Sequence, residues 1–88
     1  MEEDYIKKRI GRFAITSNII EDPKNRNILS ILFSKVIVVE AVMKFYNNSI
    51  EYTAMSEYFD EIEDGCKPYW YKVILDNDSI LFKNIEKK

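Results

Sequence analysis

The densest run of ionisable side chains lies between Glu51 and Asp64, in the stretch EYTAMSEYFDEIED. It holds six carboxylates (Glu51, Glu57, Asp60, Glu61, Glu63 and Asp64) and no base, with Tyr52, Tyr58 and Phe59 interleaved. Asp60, Glu61, Glu63 and Asp64 are ligand types for a hard divalent cation, but they lack the alternating order closed by a later Glu that a calcium loop requires. Glu57, Tyr58, Asp60, Glu61, Glu63 and Asp64 also suit an acidic-aromatic patch that docks on a basic protein surface. Charge would steer that encounter, and acids so spaced imitate the phosphates of a nucleic acid. The same composition describes a solvated connection whose aromatic rings turn inward.

A second group is Tyr69, Trp70, Tyr71 and Lys72, with Lys67 and Lys83 nearby. Aromatics on a strand beside lysines can stack exposed bases, as sheet-based binders of single-stranded nucleic acid do. The alternative is that Tyr69 and Tyr71 belong to the core while Trp70 caps the other face. The Gly-flanked aromatics of RNA-recognition domains are missing, and the acidic neighbourhood disfavours direct contact with nucleic acid.

Other chemistries lack their reagents. The chain has no His, the commonest general base and metal ligand. The single Cys66 has no His to activate it and no cluster with which to bind zinc. Gly11 and Gly65 are too few and too far apart for a phosphate-cradling loop. No catalytic activity, cofactor or metal is expected.

At 88 residues the chain is read as one domain, residues 1–88, with a modest core. Net charge is −2, close to balance, but it is unevenly spread. Residues 1–35 carry seven Lys/Arg against five Asp/Glu, and residues 36–88 carry six against ten. One cysteine excludes an intrachain disulfide. The acidic start MEEDYIKK is not followed by an apolar run, so no secretory signal is read and a cytoplasmic setting is expected. A membrane span over Ile28–Tyr46 is disfavoured. Charges at Glu40 and Lys44 would each cost about 2.5–3.5 kcal/mol near the bilayer centre, and the Val-Ile-Val-Val run suits a strand better.

The elements that would position these groups follow from periodicity. Glu2–Phe13 reads as a short helix, with acids at its amino end, bases towards its carboxyl end, and Gly11 weakening the interior. Phe13–Ile20 leans towards an extended segment. Asp22-Pro23 is a helix start, and Ile28, Leu29, Leu32 and Phe33 share one face of a helix over Pro23–Ser34. Val36–Met55 is a hairpin turning at Asn47-Asn48, where Asn tolerates positive φ. A two-residue turn sets Phe45 opposite Ile50, Met43 opposite Tyr52, Ala41 opposite Ala54 and Lys44 opposite Glu51. The odd residues Ile37, Val39, Ala41, Met43 and Phe45 then line a dry face, while Val36, Val38 and Val42 are left for some other cover. Ser56 caps a helical turn in which Tyr58 and Ile62 stack. A second hairpin turns at Asp76–Asp78 and pairs Leu75 with Ile80, Val73 with Phe82 and Lys72 with Lys83; a bulge would relieve the like charges. The fold class expected is α+β, an antiparallel four-stranded sheet of two hairpins with one or two amino-terminal helices packed on one face.

No motif identifies a family. In make-up, being small, acidic in its second half and rich in Tyr and Asn, the chain resembles the inhibitor proteins that phages and mobile elements carry against host defence systems, anti-CRISPR proteins among them. The resemblance is compositional. It implies a non-catalytic protein-binding module whose partner has a basic surface, such as a nucleic-acid-binding protein. Two further readings stand beside it: a single-stranded nucleic-acid-binding sheet through Tyr69, Trp70, Tyr71 and Lys72, and a homo-oligomeric structural subunit.

Overall fold

The computed structural model describes residues 8–76 and 79–86. It is an α+β fold with one mixed sheet of five strands and a helical layer on one side. The elements run β1 (Ile10–Thr16), α1 (Ser17–Glu21), a 3-10 turn at Pro23–Asn25, α2 (Arg26–Ser34), β2 (Ile37–Lys44), β3 (Ser49–Met55), β4 (Tyr69–Asp76) and β5 (Ser79–Asn84). The strand order is β2-β3-β1-β4-β5.

The expected four-stranded antiparallel meander is therefore incorrect, and the error lies at the amino end. Ile10–Phe13, read as the end of a helix, begins the central strand; the earlier part of that expected helix, Glu2–Lys7, lies outside the described residues. β1 pairs antiparallel with β3 along its whole length and joins β4 in parallel at Gly11–Tyr69 and Arg12–Trp70. Its inward residues Gly11, Phe13 and Ile15 are buried and alternate with residues that are half-buried or exposed. The glycine read as a helix weakener permits a close approach. A Cβ at Gly11 would stand 2.8 Å from the Tyr71 ring and 2.9 Å from Phe59 Cδ2.

Asp22-Pro23 starts a helical turn as read, but a 3-10 turn over Pro23–Asn25, and the α-helix expected from Pro23 begins at Arg26. The Asp22 side chain accepts a hydrogen bond from the Lys24 amide at 3.0 Å, and the turn leads directly into α2. Ile28, Leu29 and Leu32 are buried, and Phe33 sets its edge against Tyr52. The core they join contains Phe13, Ile15, Val36, Ala54, Phe59 and Tyr71. Phe13 stacks on Tyr52 at 5.3 Å, and Phe59 packs on Tyr71 at 4.6 Å between ring centres.

Both hairpins exist, but the first has a different register. Lys44 lies opposite Ser49 and not Glu51, Met43 opposite Ile50, Ala41 opposite Tyr52, and Val42 opposite Glu51. The turn takes four residues: Phe45–Asn47 form a 3-10 turn and Asn48 closes it at φ 52°. Asn47 accepts a hydrogen bond from Ser49 Oγ at 2.7 Å, and the Asn48 carbonyl accepts one from the Ser17 amide at 2.8 Å. Those bonds favour the longer loop over the two-residue turn. A bulge at Val38/Glu40 gives β2 one residue more than its partner there. It switches the core-side face from the even residues Val36 and Val38 to the odd residues Ala41 and Met43, so Val36, expected to lack cover, is buried and Ile37, expected to be dry, is exposed. Val39 at the bulge, Met43, which none of the described residues covers, and Phe45 in the turn are exposed as well, although also expected to be dry.

In the second hairpin Val73 faces Phe82, Leu75 faces Ile80 and Lys72 faces Lys83, as read from the sequence, in a continuous register. The two lysines are exposed, where water screens their repulsion. The tip residues Asn77 and Asp78 lie outside the described residues. Ser56 does cap a turn, with the Phe59 amide bonded to its carbonyl at 3.2 Å, but the turn is not helical and does not carry on to Ile62. Ser56 is fully buried; its hydroxyl donates to the Lys35 carbonyl at 2.7 Å and accepts from the Tyr58 amide at 3.2 Å. The Ile62 amide then bonds to the Lys8 carbonyl, drawing the chain away from a helical path. Among the described residues no helix is long and apolar enough to cross a membrane.

Candidate functional site

The outermost strand β2 has the sequence IVVEAVMK, and seven of its eight residues are exposed. Ile37, Val38, Val39, Val42 and Met43 are each between 38% and 60% exposed, a level that a sheet face under a helix would not show. The register explains which way they point. Val38, Ala41 and Met43 share the face of Ala54, Tyr52 and Ile50, and the remaining residues occupy the opposite face. α2 covers the core side as far as Tyr52, through Phe33, and leaves β2 open on both faces. Among the described residues nothing pairs with its outer side. Each strand residue has one amide and one carbonyl to satisfy, so an outer edge presents a row of donors and acceptors to whatever approaches.

The apolar surface continues past the strand. Phe45 is 88% and Tyr46 83% exposed at the tip of the hairpin. At the other end, Ser34, Lys35, Val36, Ile37, Glu57 and Tyr58 line an open cleft of about 480 Å³. Lys35 Nζ sits 5.1 Å over the Tyr58 ring, a cation–π contact that fixes one wall of the cleft.

The acidic-aromatic residues expected to act together are dispersed. Glu57 and Tyr58 stand beside the start of β2 in this cleft. Asp60 turns inward: its amide donates to Tyr71 Oη at 2.6 Å, and its Oδ2 accepts from Tyr71 Oη at 3.3 Å and from Asn84 Nδ2 at 2.9 Å. Burial first, and the Asp60 charge second among the influences that raise it, hold the Tyr71 hydroxyl above its ordinary pKa of 10.0. Burial likewise raises Tyr52. Asp60 thus ties the connection to β4 and β5. Glu61, Glu63 and Asp64 are exposed, and the last two border a separate small cleft of about 160 Å³ with Lys8, Ile10, Ile62, Gly65 and Cys66. Among the described residues no three acids, cysteines or histidines are placed to hold a metal ion.

The four residues Tyr69, Trp70, Tyr71 and Lys72 do not form one platform. Alternation along β4 sends Tyr69 and Tyr71 to the core side, where Tyr71 is buried, and Trp70 and Lys72 to the other. One face of the Trp70 ring is covered by the Arg12 guanidinium, 4.7 Å from its centre. Arg12 is itself held by two hydrogen bonds to the Pro68 carbonyl and an ion pair with Glu86 at 3.7 Å. A base stacking on that face would have to displace a tethered cation.

The sequence leaves Val36, Val38 and Val42 for some other cover; Val38 and Val42 are exposed, and Val36 is buried. The open outer side of β2 is not legible there, because it follows from the strand order. Comparison with protein-family models, with curated proteins and with solved structures finds no match to this chain.

Proposed function

We propose that this chain is a small non-catalytic protein-binding module whose binding element is the outer edge of β2. The observation that carries the reading is an edge strand with five large apolar side chains exposed across its two faces. Water-facing edges are ordinarily short, charged, bulged or covered, because an apolar edge recruits another chain. Here two charges, Glu40 and Lys44, and one bulge are the only such features in the strand. Strand addition supplies main-chain hydrogen bonds, and the pockets between alternate side chains supply selectivity.

The exposed acids act beside this element. Glu57 and Lys35 stand together beside the start of β2, so that end of the edge carries one charge of each sign. The exposed acids Glu61, Glu63 and Asp64 further along the connection supply the negative charge that would steer a basic chain. Occupying a partner's surface without turnover is the kind of inhibition that the compositional resemblance implies. The nucleic-acid reading has less support, because Arg12 covers one face of the indole.

The test is affinity capture from the producing cell, followed by titration of the captured partner against two variants. Val42→Lys, at the middle of the edge, should weaken binding at least tenfold; Glu61→Lys/Glu63→Lys should weaken it less and chiefly at low salt. Equal binding by wild type and Val42→Lys contradicts the edge reading. Quenching of Trp70 by an added oligonucleotide would favour the nucleic-acid alternative.

A further inference from the structure

The edge strand is complementary to itself, which names an occupant; the inference rests on β2 being the binding element. We propose that a second copy of this chain adds antiparallel to β2 about a two-fold axis through Val42, joining two five-stranded sheets into one continuous sheet.

Two independent features select that axis. The first is the length of regular strand. The bulge at Val38/Glu40 ends the regular ladder on one side and the 3-10 turn at Phe45 ends it on the other. The uninterrupted segment is Glu40–Lys44, and Val42 is its midpoint. The second is charge. In an antiparallel pair, directly opposed residues share a face, and Glu40, Val42 and Lys44 lie on the same one. An axis through Val42 sets Glu40 opposite the second copy's Lys44, and the symmetry repeats this pair. Ala41 then meets Met43, and Val42 meets its own counterpart.

The neighbouring axes do worse. Placed at Glu40 or Lys44, the axis brings like charges face to face. Placed at Ala41, it draws the bulged Val39 into the ladder, and placed at Met43 it shortens the regular pairing. With the axis at Val42, the exposed tip residues Phe45 and Tyr46 extend over the second copy's Val39 and Val38, which are exposed as well. With five paired residues from each copy the interface is expected to be smaller than that of a standard stable complex, so the association is sought at high chain concentration.

Sedimentation velocity of the full chain from the micromolar to the millimolar range tests this. Wild type should pass from monomer to dimer. Glu40→Lys or Lys44→Glu alone turns two attractive pairs into two repulsive ones and should weaken the dimer roughly tenfold or more. The double variant Glu40→Lys/Lys44→Glu should restore it, and an equal mixture of the two single variants should form the heterodimer. A wild type that stays monomeric throughout, or a dimer that is indifferent to the single reversals, overturns the proposal. A monomeric wild type whose captured partner is still lost in Val42→Lys overturns the second copy alone. Capture and mass both indifferent to Val42→Lys overturn the edge reading with it.

Discussion

The two ends of the sheet are built from similar residues and treated oppositely. At the β5 end, exposed and half-buried residues alternate strictly, and Phe82 packs against Phe13, Tyr58 and Phe59. The last turn of chain ties back through Ile85 N–H to the Trp70 carbonyl, and the Glu86 carboxylate accepts from the Trp70 amide. Asp60 bonds Tyr71 and Asn84 together from the connection. β5 is an edge too, with Leu81 exposed on its outer face, but among the described residues the β2 end has no such ties: Val, Ile and Met face water on both sides of the strand. A run of β-branched residues is therefore not by itself a core strand. What decides is whether the rest of the chain supplies cover, and at β2 the described residues supply none.

Substitutions at the two ends should differ in size of effect. The largest effect is expected at the packed end. Phe59→Ala removes a ring that is 1% exposed and touches Phe13, Tyr71 and Phe82, and should cost about 3–5 kcal/mol in urea unfolding. Gly11→Ala follows, because the added methyl meets ring carbons of Tyr71 and Phe59 under 3.0 Å; about 1–3 kcal/mol is expected from overpacking. Asp60→Asn removes the charged acceptor between Tyr71 and Asn84, at about 1–2 kcal/mol. Val42→Lys should move stability by no more than about 0.5 kcal/mol, as for an exposed position. A loss at Val42 comparable to that at Phe59 would erase the distinction between the two ends.

The Tyr71 hydroxyl gives the packed end a pH signature. Its folded pKa lies above the ordinary 10.0, so the folded state holds this proton more tightly than the unfolded chain does. The associated stability is complete below about pH 10 and is lost as pH rises through the folded value. Tyr52 adds in the same direction. Tyr71→Phe should be less stable at neutral pH, having lost the bonds to Asp60, yet decline less steeply in alkali. An unchanged slope would mean that Tyr71 does not govern the alkaline limb.

How much of this was legible depended on whether the determinants were local. The Asp22-Pro23 turn and the Ile28, Leu29, Leu32, Phe33 stripe depend on residues close in sequence and were readable. So was the second hairpin, down to Lys72 opposite Lys83, because its two strands alternate in step. The first hairpin was readable as a hairpin but not in register. Hydrogen bonds from Ser49 to Asn47 and from Ser17 to Asn48 stabilise a four-residue loop, and the second of these comes from a distant segment. The placement of β1 was hidden for a like reason. Nothing in Ile10–Phe13 distinguishes a helix end from a strand until β3 and β4 lie on either side of it. The candidate site fared accordingly: the acidic run was visible as composition, but the inward turn of Asp60 depends on Tyr71 and Asn84, which arrive later in the chain. The edge of β2 is a property of the strand order, which local pattern does not contain.

An open β2 edge that closes on a second copy is read most directly by amide hydrogen exchange along Glu40–Lys44, at low and at high protein concentration. Alternate amides of this segment should exchange rapidly when the chain is dilute and slow down as the mass doubles, with β4 unchanged and the effect abolished in Val42→Lys. Protection of those amides that is the same at every concentration, and the same in Val42→Lys, would contradict such closure.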